Sequence, residues 1–100
     1  MNKVLSTLGL ARRAGRLNYG FDMVMAGLGR THLLLLASDC APRTCKNVEA
    51  AAKEFGVPVQ YLPVTKDQLG ASIGTKPVGI IGVADQGFAR SLAQSIEGGK

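Results

Sequence analysis

Residues 32–38 read His32-Leu33-Leu34-Leu35-Leu36-Ala37-Ser38, and five consecutive apolar residues in so short a run describe a strand buried on both faces. Such a strand needs a covering layer on each side of its sheet. Downstream, Pro42 opens a helix that runs through an alanine-rich middle to Phe55, and Gly56 stops it. Val57 to Leu62 reads as the next strand. A short helix starts near Thr65 and carries Leu69 and Ile73 inward, with Gly74 to Pro77 as a tight turn after it. Val78 to Ala84 is a further buried strand, Gln86 to Ile96 a closing helix, and Glu97 to Lys100 a loose tail.

Upstream of residue 32, Val4, Leu5, Leu8, Leu10 and Ala11 follow helical spacing, which predicts an amphipathic helix over 3–14 ended by Gly15. Residues 16–19 read as a short strand. A second helix is predicted from Phe21 to Leu28, with Phe21, Val24, Met25 and Leu28 as its buried stripe. Asp22 falls in its first turn, where a carboxylate complements the helix dipole. Strand and helix alternate from residue 16 onward. That alternation predicts an α/β fold: one domain over residues 1–100, built as a three-layer α/β/α sandwich around a small mixed, mostly parallel four-stranded sheet.

Composition narrows the classes. With 46% hydrophobic and 19% charged residues the chain lies outside the disordered class. A hundred residues bury roughly 60–68% of their unfolded surface, so no disulfide or metal is needed for a core. The longest apolar run is far below the roughly 20 residues of a membrane span, and Met1 to Leu10 carries no signal-peptide pattern. Cys40 and Cys45 lack the C-x-x-C spacing of a redox pair and read as reduced thiols of a cytoplasmic protein. His32 is the only histidine, so a Cys/His zinc site cannot be assembled; neither metal nor cofactor is expected.

Charge is distributed unevenly. Lys3, Arg12, Arg13, Arg16 and Arg30 face one acid, Asp22, within the first thirty residues, a balance of +4; the other seventy carry seven cations and six acids, +1. A local basic face argues for a polyanionic partner. Gly20, Phe21 and Asp22 at a helix start would offer backbone N–H groups to a phosphodiester, and Gly20 has no side chain to obstruct it. Guanidinium groups at Arg12, Arg13 and Arg16 suit phosphate and stacked bases. The loop Gly74-Thr75-Lys76-Pro77-Val78 sets a cation and an apolar residue beside a strand, where they could brace an unstacked base. Taken alone, the arginine cluster is equally a solvated helix end, while the Gly20 segment and the Lys76 loop read more readily as an ordinary capped turn and a plain turn. Asp39, just past the buried strand, reads better as a cap than as a catalytic acid, since no paired carboxylate or histidine is near. No feature supports an enzyme.

Taken in order, several pieces resemble the ribosomal kink-turn RNA-binding superfamily. They are the glycine before the second helix, the strand ending Ala37-Ser38-Asp39, Gly56-Val57-Pro58-Val59, Leu69-Gly70-Ala71-Ser72-Ile73-Gly74 and Lys76-Pro77-Val78. Leu8-Gly9-Leu10-Ala11-Arg12-Arg13-Ala14-Gly15 and Val83-Ala84-Asp85-Gln86-Gly87-Phe88-Ala89 look like its bacterial YlxQ-like branch. The resemblance implies a monomeric ribosomal or ribosome-associated ribonucleoprotein component that binds structured RNA, with ribosomal RNA of kink-turn-like bend as the expected partner. In the family the helix-opening motif runs glycine, any residue, asparagine, glutamate, two variable residues, lysine. The asparagine and glutamate read guanine edges in tandem sheared G·A pairs. Matched position by position the glycine is Gly20, the asparagine Asp22, the glutamate Met23 and the lysine Ala26. A further glutamate contact falls on Ala41, while the basic loop position is kept as Lys76. The charge pattern and the resemblance together give the expected contact set: Arg12, Arg13, Arg16, Gly20, Phe21, Asp22, Met23, Arg30, Thr75, Lys76 and Val78. The altered motif leaves a second expectation open: a protein-interaction adaptor that has lost specific RNA reading.

Overall fold

In the computed structural model, which describes residues 1–98, four strands and five α-helices alternate: α1 (Asn2–Arg13), β1 (Leu17–Tyr19), α2 (Phe21–Ala26), β2 (Leu33–Ala37), α3 (Pro42–Phe55), β3 (Val59–Leu62), α4 (Lys66–Ile73), β4 (Ile80–Val83) and α5 (Gln86–Gly98). A 3-10 turn at Leu28–Arg30 follows α2. The apolar run behaves as its composition requires. Leu33, Leu35 and Ala37 point into a core with Val4, Leu8 and Leu92 of α1 and α5. Leu34 and Leu36 point the other way, against Val24, Val48 and Ala52 of α2 and α3. The strand's two-residue period thus supplies both interfaces of a three-layer sandwich. Full burial of each leucine contributes about 1.5–3 kcal/mol, which makes β2 the structural axis.

The sheet is mixed, in the order β1-β4-β2-β3, and its parallel character is partial. Only β2 and β3 pair in parallel; β4 runs antiparallel to both of its neighbours, β1 and β2. Three strands do point the same way. Because the fourth lies between two of them, it converts two of the three pairings, and chain order alone does not reveal that insertion.

Element boundaries follow local chemistry. Pro42 occupies the first turn of α3 and Gly56, at φ 70°, ends it. Thr65 caps α4 through a reciprocal capping box with Gln68. Asp39 reaches the same terminus: its Oδ1 accepts from the Lys66 N–H at 2.8 Å. Helix α2 stops at Ala26, two residues short of expectation, because Gly27 breaks it. Phe21 and Leu10, expected on buried stripes, are exposed instead, at 41% and 52%. Strands β3 and β4 begin two residues later than expected, although Val57 and Val78 are still buried. Glu97 and Gly98, expected in a tail, belong to α5; Gly99 and Lys100 lie outside the described residues. No helix among the described residues is long and apolar enough to cross a membrane.

Candidate functional site

Strand β1 is only three residues long, so what precedes and follows it sits at opposite ends of the sheet. Leu17 pairs with Val83, which also pairs with Leu33; Tyr19 pairs with Ile81, one residue from the Ile80 that meets Leu36. Gly20 therefore emerges at the Leu36 end. Across from it comes the loop Thr75–Val78, and between them lies an open groove of about 350 Å³ lined by Tyr19, Gly20, Thr75, Lys76, Pro77 and Val78. Lys76 is exposed on its rim and none of the lining residues is acidic.

The two walls are held by different devices. Gly20 adopts φ 84°, ψ 157°, a conformation essentially confined to glycine, and a Cβ there would project into open space. The opposite wall is set by α4. A Cβ on Gly70 would collide with the Lys76 carbonyl oxygen, so only glycine lets the loop seat this closely. Three hydrogen bonds then fix it. The Thr75 N–H donates to Gly70 O at 2.9 Å, the Val78 N–H to Lys66 O at 3.1 Å, and the Thr75 hydroxyl to Lys76 O at 2.9 Å.

Several expected site residues stand elsewhere or act differently. The Gly20 N–H is not free for a phosphate: it donates to Ile80 O at 3.1 Å, continuing the β1–β4 ladder. Arg12 is half-buried, its Nη2 donating to the Tyr19 hydroxyl at 3.2 Å and its guanidinium lying 5.1 Å from the Tyr19 ring centroid. Arg13 is an exposed cation at the end of α1. Arg16 and Arg30 are exposed at the far end of the sheet. The Arg16 carbonyl accepts from the Ala84 N–H beyond Val83, and Arg30 lies two residues before His32, whose N–H donates to Val83 O. The three residues of β1 separate Arg16 from Gly20, four residue steps and about 13 Å of extended chain. The cations grouped in the sequence are thus divided between two ends.

Around α2, Phe21, Asp22, Met23 and Ala26 are all exposed, and the Met23 sulfur accepts from the Tyr19 N–H at 3.5 Å. Ala41 is the exposed residue before α3. Tyr19 and Gly70 are not among the site residues the sequence points to, and Pro77 enters there only as part of the candidate loop. Tyr19 and Arg12 lie seven residues apart on different elements, and no local pattern links them. At the same end of the sheet, burial and the adjoining Cys45 push the Cys40 thiol up to about 11, so it is a poor nucleophile at neutral pH. Among the described residues no cluster of His, Cys, Asp or Glu could hold a metal ion.

Comparison with known proteins places this geometry in context. Residues 2–93 match the model of the ribosomal protein L7Ae/L30e/S12e/Gadd45 family. The chain is 34% identical over 92 residues to the RNA-binding protein YlxQ of Bacillus subtilis (strain 168), covering 90% of this chain and 91% of the relative. It is 31% identical over 98 residues to the RNA-binding protein YlxQ of Enterococcus faecium, covering 96% and 93%. Among solved structures, a Bacillus halodurans C protein of unknown function superposes with a TM-score of 0.89 at 36% identity, over 95% of this chain and 97% of that one. A Giardia lamblia 15.5kD RNA binding protein superposes with a TM-score of 0.80 over 96% and 86%; at 15% identity it speaks for the fold alone.

Proposed function

The chain belongs to the ribosomal protein L7Ae/L30e/S12e/Gadd45 family, and from that premise we propose that it binds structured RNA at the groove between Gly20 and Lys76, without catalysing a reaction. The observation that carries this reading is an open groove of about 350 Å³ whose only charged lining residue, among the described residues, is Lys76. Two relatives above 30% identity, each covering at least nine-tenths of this chain, carry the name RNA-binding protein. In the proposed complex Lys76 meets a phosphate, while Thr75 and Val78 shape one wall and Gly20 leaves room for the backbone at the other. Phe21, Asp22 and Met23 face the same ligand from α2, and Arg12 and Arg13 add positive potential from α1. Arg16 and Arg30 act on it only at a distance.

The finer partner is a sharply bent, kink-turn-like helix of ribosomal RNA, met by a monomer in a cytoplasmic, ribosome-associated role. Asp22, Met23, Ala26 and Ala41 stand where the family motif has base-reading or phosphate-binding side chains. Recognition here relies on RNA shape and charge more than on base edges. The test is anisotropy titration of a labelled RNA hairpin, whose internal loop carries tandem G·A pairs, across a salt series. Lys76→Ala should flatten the slope of log affinity against log salt by roughly one unit. An unchanged slope removes the groove from the interface.

Phe21 and Met23, 41% and 47% exposed, favour one second reading: an adaptor that docks a protein through α2. Partner capture that survives RNase and is lost on Phe21→Ser with Met23→Ser would favour it over RNA binding.

A further inference from the structure

Arg12 looks in the sequence like one more phosphate cation, yet its contacts describe another task. Its Nη2 donates to the Tyr19 hydroxyl at 3.2 Å, and the guanidinium carbon stands 5.1 Å from the ring centroid. Arg12 Nε is buried and has no hydrogen-bond partner among the described residues. With Nε buried, the guanidinium is held against the aromatic ring rather than fully extended into solvent. Tyr19 in turn lines the groove, and strand alternation puts it on the α1 face with Leu17. Its oxygen accepts from Arg12, and among the described residues its O–H donates to no protein acceptor. A phenol can do both at once, so one donor is left over on a residue that lines the groove.

We propose that Arg12 is a positioning residue that fixes Tyr19, and that the Tyr19 hydroxyl donates a hydrogen bond to a phosphate oxygen of RNA seated in the groove. The adjacent guanidinium polarises the phenol towards donation, which strengthens a bond to an anionic acceptor. The inference rests on the RNA reading above, and it separates two kinds of contribution. A phenol carries no charge, so its bond adds affinity without releasing counterions. A lysine or arginine on phosphate adds both affinity and salt dependence.

The experiment uses the full chain and the same labelled hairpin with tandem G·A pairs. Tyr19→Phe keeps the ring and should weaken binding roughly tenfold with the salt slope unchanged, as expected for losing one bond to a charged acceptor. Arg12→Gln should weaken binding to a similar degree, with far less flattening than Lys76→Ala. The double variant should be no weaker than the weaker single one, because both changes remove the same bond. Full affinity in Tyr19→Phe overturns the proposal. So does additivity in the double variant, or a slope flattened by about one unit in Arg12→Gln, which would make Arg12 a direct phosphate contact. The positioning half is read without RNA: the Arg12 δ-proton resonances of the free protein should be shifted upfield by the ring and return on Tyr19→Leu. Unshifted resonances in the unaltered protein overturn that half even where RNA binds. Failure of all variants and the unaltered protein to bind the hairpin, with the ring shift intact, falls instead on the RNA reading.

Discussion

The two ends of the sheet carry grooves of similar size and opposite character. At the Leu36 end about 350 Å³ opens between Gly20 and the Lys76 loop, with Lys76 the only charged group lining it among the described residues. At the Leu33 end about 390 Å³ opens beside α5, lined by His32, Gln60, Gln86, Arg90 and Glu97 among others. There Arg90 and Glu97 bring opposite charges to one groove, so the local field is divided. Nearby Asp85 spends its carboxylate on the Phe88 N–H at 2.9 Å. An RNA backbone gains more from a groove lined by a cation alone than from one lined by both signs, although Asp22 on α2 partly offsets that gain. Count of cations alone would favour the end opposite the proposed groove, because Arg16 and Arg30 both lie at the His32 end of the sheet.

The strongest way to break the comparison is to spoil the shape of the first groove alone. Gly70→Ala forces its new methyl against the Lys76 carbonyl and should cost about 1–3 kcal/mol in urea unfolding, with RNA affinity falling further than stability explains. Gly20→Ala should cost about 1–3 kcal/mol as well, from backbone strain at φ 84°, although its methyl would meet only open space. Next comes Lys76→Ala, an exposed change that should leave stability within about 0.5 kcal/mol while removing roughly one unit of salt slope. The smallest effect sharpens the comparison from the other side. Arg16→Ala combined with Arg30→Ala should change the slope for the same hairpin by less than Lys76→Ala alone, despite removing twice the charge. A larger change there would move the interface to the opposite end.

How far the sequence reached depended on whether the deciding interactions were local. Helix α3 was legible to the residue, since Pro42 and Gly56 act on their own backbone. So were the burial of β2 and the capping role of Asp39. Phe21 was misassigned because an apolar residue at helical spacing looks buried until the fold leaves nothing to cover it. The Gly20 N–H seemed available because its acceptor, Ile80 O, lies sixty residues away. Partial parallelism was hidden for the same reason: inserting β4 between β1 and β2 is a long-range choice. In the candidate site, the pairing of Gly20 with the Lys76 loop was readable from the resemblance and the motif order. The Arg12–Tyr19 pair and the fit of Gly70 against Lys76 were not, because each joins distant segments without a local pattern.

The most direct test of the groove as the RNA-binding surface is amide chemical-shift mapping of the protein titrated with the G·A-containing hairpin. The largest changes should fall at Tyr19, Gly20 and Phe21 and at Thr75, Lys76 and Val78, with His32 and Arg90 nearly still. Changes concentrated at Arg16, Arg30, His32 and Arg90, with the Gly20 and Lys76 amides unmoved, would contradict it.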